Sequence, residues 1–112
     1  MNIQIFGRKK SSDSRKAERY FKERKIPYQY IDMDTKGMSR GELDACIRAA
    51  GIDSLIDYSC KDRGRAELMK YISDDAKAEK MEEYPELVKV PVVRNGNQVT
   101  AGYMPDVWKG WI

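Results

Sequence analysis

The sequence contains no histidine and only two cysteines, Cys46 and Cys60, among its 112 residues. The lack of histidine excludes a Ser-His or Cys-His nucleophile pair and any histidine-ligated metal site. Two cysteines cannot supply the four thiolates of a structural zinc site. We expect a cytoplasmic protein without a bound metal, in which both cysteines are free thiols rather than a disulfide.

Long apolar runs are also missing. No stretch approaches the ~20 apolar residues that a membrane-spanning helix needs, and the N-terminus enters a strand pattern without the layout of a signal peptide. Charged residues make up 35% of the chain and hydrophobic ones 41%, as in a soluble globular domain. The net charge of +3 is too small to predict direct binding to nucleic acid. We therefore expect one soluble, monomeric domain with no membrane contact.

The apolar pattern predicts a strand–helix–strand unit in the first third of the chain. Residues 2–6 read as a buried strand, and residues 28–31 as a second one. Between them, a helix over about 13–24 places Ala17, Tyr20 and Phe21 on one face. Such a unit implies two parallel strands joined by a right-handed crossover.

The middle of the chain reads as helical. Ser39 and Glu42 form a capping box for a helix that ends at Gly51. Residues 53–72 are expected to be helical in pieces, with an interruption over 59–64. Ser73 then begins a further helix that stops before Pro85.

The last third predicts two antiparallel strands and a short helix. A strand over 88–93 is followed by the hairpin sequence Arg94-Asn95-Gly96-Asn97 and a return strand over 98–101. Pro105 opens a short helix that includes Val107, Trp108 and Trp111. The whole order predicts an α/β, thioredoxin-like fold. Its mixed four-stranded sheet is formed by about 1–34 and 86–112, and a helical subdomain is inserted over about 35–85.

The segment Ser11-Ser12-Asp13-Ser14 lies between the first strand and the first helix. In a thioredoxin-like chain, a Cys-x-x-Cys redox pair would occupy this place. A serine hydroxyl cannot take part in thiol–disulfide exchange, and no histidine is present to activate it. The sequence therefore predicts that Ser11 is a helix N-cap, a role worth about 1 kcal/mol, with Ser12 and Asp13 as alternative N-caps.

Several motifs resemble those of the arsenate reductase/Spx (ArsC) family. They are Ile5-Phe6-Gly7 with Ser14-Arg15-Lys16-Ala17, Met38-Ser39-Arg40-Gly41-Glu42-Leu43, Pro85-Glu86-Leu87 leading to Pro91, and Gly102-Tyr103. Some members of that family are glutathione/glutaredoxin-linked arsenate reductases, and others are regulators that bind RNA polymerase. The resemblance implies a cis peptide bond before Pro91, in a loop that faces the first helix across a groove.

The chain departs from the pattern of the reductases. Ser11 and Ser14 match the positions of the family's cysteines, and Val90 stands where reductases have an arginine before the cis-proline. The turn at Gly51 resembles the place where regulatory members contact the polymerase α-subunit. A glycine at the end of a helix explains it equally well.

An anion site is a further expectation for the serine segment. Arg8, Lys10 and Arg15 surround Ser11 and Ser14, and the N–H groups at a helix N-terminus attract anions. The ligand would be an oxyanion or glutathione, and no other cofactor is expected. The alternative is a solvated basic loop.

Two functions therefore remain open. The first is a non-redox binding or regulatory protein that uses the groove of Ser11 and Pro91, or the helical insertion, to contact a partner. The second is a glutathione/glutaredoxin-dependent, arsenate reductase-like enzyme that uses Cys60. For that thiol, the Ser-Cys-Lys-Asp-Arg context is compatible with a lowered pKa. The alternative is a loop or half-buried cysteine without a special role.

Overall fold

A computed structural model of the chain describes residues 2–111. Met1 and Ile112, the ends of the predicted domain, lie outside the described residues. The strands are β1 (Ile3–Gly7), β2 (Tyr28–Asp32), β3 (Val92–Asn95) and β4 (Gln98–Ala101). The helices are α1 (Ser12–Glu23), α2 (Arg40–Ala50), α3 (Ile52–Leu55), α4 (Arg63–Leu68), α5 (Asp74–Glu83) and α6 (Pro105–Lys109), with a 3-10 turn at Pro85–Leu87.

The four strands form one mixed sheet in the order β2-β1-β3-β4. The β1–β2 pair is parallel, whereas β1–β3 and β3–β4 are antiparallel. The predicted strand–helix–strand unit and the mixed four-stranded sheet are thus confirmed. All of α2 to α5 lies in the chain between β2 and the 3-10 turn.

One face of the sheet is covered by α1 and α6. Ala17, Tyr20 and Phe21 are buried together, as their spacing predicts, and they pack with Trp108 of α6. The Trp108 indole N–H donates a 2.8 Å hydrogen bond to Thr100 Oγ1 on β4. This buried bond fixes α6 to the sheet, because an indole N–H without a partner would be costly to bury.

The other face of the sheet packs against the inserted helices. The core cluster there joins Phe6 and Val92 of the sheet to Leu43, Met81 and Leu87. Three helices of the insertion, α2, α4 and α5, begin with a side-chain cap, whereas α3 follows Gly51 without one. Ser39 and Glu42 form the predicted capping box, and the Ser73 hydroxyl accepts from the Ala76 N–H.

The third strand begins later than the sequence predicts. The pattern indicated 88–93, but β3 runs from Val92 to Asn95. The segment before it pairs with the insertion instead, because Val88 bridges Ile56 and the Lys89 N–H donates to the Leu55 carbonyl at 2.8 Å. Trp111 similarly lies just beyond α6, which ends at Lys109.

Candidate functional site

The candidate site lies at one edge of the sheet. Here β1 ends at Gly7, β2 ends at Asp32, and β3 begins at Val92, next to the last residue of β4. The chain leaves β1 through a short loop and enters α1, whose N-terminus therefore lies at the same edge. The topology alone brings the serine segment and the proline loop together.

Ser11 is the N-cap of α1. Its backbone is extended, with φ −82° and ψ 118°, and its Oγ accepts a 3.1 Å hydrogen bond from the Ser14 N–H. The Arg15 N–H donates to the Ser11 carbonyl at 3.2 Å. The predicted capping role is thus confirmed, and the hydroxyl is engaged in holding the first turn of the helix.

Ser14 is buried, with 1% of its surface exposed. Its Oγ accepts a 3.2 Å hydrogen bond from the Arg8 N–H, which closes the loop between β1 and α1. A Cβ added at Gly7 would lie 2.8 Å from this oxygen and 3.0 Å from Tyr30 Oη. The serine hydroxyl therefore packs directly on the backbone of β1, out of reach of a solvent-borne ligand.

Two of the three cations expected to bind an anion make bonds within the protein. The Arg8 guanidinium donates to the Pro85 and Val88 carbonyls and pairs with Asp34 at 3.2 Å. The Arg15 guanidinium donates to the Lys9 carbonyl at 2.6 Å. Both arginines therefore stabilise the loop and its attachment to the insertion.

Lys10 and Lys89 are both exposed near this edge, as is Lys9. Within residues 2–111, neither Lys10 nor Lys89 forms an ion pair. Lys89 was not among the predicted site residues, but its Nζ lies 3.8 Å from the position of a Cβ added at Gly102. A lysine two residues before Pro91 is the sequence feature that could have indicated it. An anion site at this edge stays a prediction, and Lys10 and Lys89 are among its available cations.

The proline loop lies at the same edge of the sheet, where the resemblance predicts that it faces the N-terminus of α1 across a groove. The Val90–Pro91 peptide bond is cis, as the resemblance implied. Pro91 is buried and Val90 is half-buried. The Gly102 N–H donates to the Pro91 carbonyl at 2.8 Å, so the loop is tied to the end of β4.

The lowered pKa expected for the Cys60 thiol is wrong. Cys60 is 7% exposed and packs in the core cluster beneath the insertion, with its thiol 3.5 Å from the Asp62 carbonyl. Burial raises the pKa of the Cys60 thiol, and the nearby carboxylates of Asp57 and Asp62 raise it further. Lys61 and Arg63, which suggested a lowered pKa, are both exposed.

Cys46 is fully buried on α2, as its place on the apolar stripe predicts. Burial raises the pKa of its thiol to about 11. Both cysteines are free thiols, and neither has the lowered pKa that activates a cysteine nucleophile.

Gly51 lies between α2 and α3 with φ +84°, a conformation that L side chains rarely adopt. Its N–H donates to the Ile47 carbonyl at 2.8 Å and so ends α2. This geometry accounts for the glycine, and contact with a polymerase subunit stays a prediction.

No group of three His, Cys, Asp or Glu side chains in residues 2–111 is arranged to hold a metal ion. Across the same range, none of the helices is long and apolar enough to span a membrane.

No known family model and no curated protein sequence matches this chain. Solved structures do match it. A protein named YffB is 26% identical with a TM-score of 0.85, and the match covers 96% of each chain. An ArsC family related protein from Bacteroides fragilis is 20% identical with a TM-score of 0.89, over 100% of this chain and 98% of that one. An arsenate reductase from Vibrio cholerae is 23% identical with a TM-score of 0.87, over the same shares.

A more distant match supports the wider fold class. The glutaredoxin-like NrdH-redoxin from Escherichia coli is 14% identical with a TM-score of 0.52, over 100% of this chain and 96% of that one. The chain therefore has the thioredoxin-like fold of the ArsC-family arsenate reductases and related proteins that it matches, as predicted from its sequence.

Proposed function

We propose that this chain is a non-redox binding protein of the cytoplasm, which holds a partner protein in the groove between the N-terminus of α1 and cis Val90–Pro91. The observation that carries the proposal is the engagement of both serines in the fold. Ser11 Oγ accepts from the Ser14 N–H, and Ser14 Oγ accepts from the Arg8 N–H. Neither hydroxyl has a neighbouring base, which a serine nucleophile needs.

The thiols elsewhere favour the same proposal. A cysteine nucleophile requires a thiolate, but burial raises the pKa of both Cys46 and Cys60. At neutral pH both side chains are protonated and packed in the core. The arsenate reductase-like alternative is therefore less favoured, because it needs Cys60 as an accessible thiolate.

The groove retains features suited to binding. Its walls are fixed by the Ser11 cap on one side and by the Gly102–Pro91 hydrogen bond on the other. Lys10 and Lys89 extend from the two walls into solvent, which suits a partner with a negative group. Pre-formed walls reduce the entropy lost on binding.

Affinity capture from a cytoplasmic extract tests the proposal. The native protein is compared with Lys10→Glu/Lys89→Glu in the groove and with Lys61→Glu/Lys70→Glu, a matched control on exposed residues of the insertion. We expect one partner to be captured by the native and control proteins and lost with the groove variant. Equal capture by all three would contradict the proposal.

The α-subunit of RNA polymerase is the partner that the resemblance suggests. Purified α-subunit is added to the native protein and to Ala49→Glu, which alters the exposed end of α2 beside Gly51 without touching the groove. Binding that is lost with Ala49→Glu but kept with Lys10→Glu/Lys89→Glu would move the partner site from the groove to the insertion.

A further inference from the structure

We infer that a cleft between α1 and α6 binds an acidic polypeptide segment that also carries apolar side chains. This inference rests on the proposed binding function and names the chemistry of the partner. The cleft adjoins the groove, because Tyr103 directly follows Gly102, whose N–H bonds to Pro91.

The positive charge of the protein is concentrated in α1 and the residues that flank it on both sides. Residues 8–25 contain nine Lys and Arg but only three Asp and Glu, whereas the whole chain has a net charge of +3. The rest of the chain is therefore net negative. Such a one-sided distribution steers a negatively charged partner to α1 and speeds its association.

A cleft runs along this basic helix. One cavity of about 210 Å³ is lined by Lys16, Arg19 and Tyr103, and a second of about 520 Å³ continues it toward Lys109. Tyr20, which is itself buried, and Pro105 line the cleft. Together, these two adjoining cavities are large enough for a short extended peptide segment.

The cations of the cleft lack acidic partners. Within residues 2–111, Lys16, Arg19, Arg24 and Lys109 form no ion pair, whereas Arg8, Arg40, Arg65, Lys70 and Lys77 all do. Unpaired cations beside one another repel, and an acidic segment would relieve this repulsion.

Aromatic rings hold two of these cations in place. The Arg24 guanidinium carbon lies 3.7 Å from the centroid of Tyr20, and Lys16 Nζ lies 5.9 Å from the centroid of Tyr103. Tyr103 in turn packs edge-on against buried Trp108, with the centroids 5.6 Å apart. Cations supported in this way lose less entropy when a carboxylate binds.

Apolar surface lies beside the charges. Tyr103, Met104 and Val107, in α6 and the residues before it, are each 40–41% exposed. Exposed apolar side chains next to aligned cations suit a polypeptide that alternates acidic and aliphatic residues. A nucleic acid fits less well, because Glu23 and Asp106 also line the cleft and would repel a continuous run of phosphates.

Fluorescence anisotropy tests the inference with a labelled peptide of alternating glutamate and leucine. The comparison probes are the same peptide with glutamine for glutamate, and a single-stranded oligonucleotide of similar length. The cleft variant is Arg19→Glu/Arg24→Glu, and the matched control is Arg48→Glu/Lys61→Glu on exposed residues elsewhere. Lys109→Glu on α6 provides a second cleft variant that leaves α1 unchanged.

We expect the acidic peptide to bind the native and control proteins, and both cleft variants to weaken it, the double one by about tenfold or more. The glutamine peptide should bind weakly, and binding should fall as salt rises. Equal weakening by the control variant would assign the effect to bulk charge and overturn the inference. Tighter binding of the oligonucleotide, or no peptide binding at all, would also overturn it.

Two further results separate this inference from its alternatives. If sedimentation shows that the native chain self-associates and the cleft variants do not, a second copy occupies the cleft and the inference is wrong. If the peptide binds the cleft while the groove variant Lys10→Glu/Lys89→Glu still captures its partner, the proposed groove fails and the cleft alone is the binding site.

Discussion

Ser14 Oγ rests on the backbone of Gly7, so closely that a Cβ added at Gly7 would lie 2.8 Å from it. The same oxygen accepts the Arg8 N–H. Ser14, which matches the position of a family cysteine, is thus part of the junction between β1 and α1. This contact requires a small residue at both positions.

Gly7→Ala should destabilise the protein. Its methyl group would meet the Ser14 hydroxyl and the Tyr30 hydroxyl oxygen in a packed region, and such overpacking costs about 1–3 kcal/mol. Urea denaturation measures the loss. Gly41→Ala is the matched control, because nothing lies within 4 Å of its added Cβ and alanine favours the helix. Equal stability of the two variants would argue against the contact.

Ser11→Ala should cost about 1 kcal/mol of stability, because the Ser14 N–H loses its acceptor. Ser11→Asp should keep most of the stability, since a carboxylate also caps a helix. Ser12→Ala, one residue along and exposed, serves as the control and should change little. The three melting curves are compared at one pH. If Ser12→Ala lowers stability as much as Ser11→Ala does, Ser11 is not the N-cap of α1.

Arg8→Met should loosen the segment that leads into the cis-proline. The guanidinium donates to the Pro85 and Val88 carbonyls. Removing it takes one donor from each of these partly buried acceptors, at a cost of about 1–3 kcal/mol, although the Pro85 carbonyl keeps its bond from the Val88 N–H. Hydrogen exchange over 85–90 should speed up. Lys9→Met, at an exposed neighbour, should leave that exchange unchanged. Unchanged protection in Arg8→Met would show that the segment is held by other contacts.

Stability should fall at high pH because of Cys46. Its thiol pKa is raised from 9.0 to about 11 in the folded protein, so the unfolded chain loses this proton first. The contribution is fully present below pH 9 and is lost as the pH rises to 11, at up to about 1 kcal/mol per pH unit. Cys46→Ala should flatten this part of the pH profile, although it lowers stability overall. Urea denaturation between pH 8 and pH 10.5 measures the free energy of unfolding of the native protein and of Cys46→Ala. If this free energy falls equally steeply with pH in both proteins, Cys46 is not the cause.

The sequence carried the local features of this fold. The Ser11 N-cap and the Ser39–Glu42 capping box depend on neighbours within three residues, so local sequence patterns indicate them. The cis bond at Pro91 came from the family resemblance, because residue spacing alone does not distinguish cis from trans.

Contacts between distant segments could not be predicted from the sequence alone. Arg8 reads as a free cation in the chain, but it bonds to carbonyls 77 and 80 residues away. Cys60 reads as an activated thiol beside Lys61, but its pKa depends on the insertion that buries it. Lys89 approaches Gly102 only because the proline loop is tied to β4. Each depends on how separate elements meet.

The central proposal is that the native chain is a non-redox protein, with no redox centre at the N-terminus of α1 or at Cys60. A coupled arsenate-reduction assay, which follows NADPH consumption with glutathione and glutaredoxin, tests it most directly on the native protein, Cys60→Ser and Ser11→Cys. The account predicts no turnover by the native protein or by Cys60→Ser, with any activity confined to Ser11→Cys. Turnover by the native protein that disappears in Cys60→Ser would contradict it.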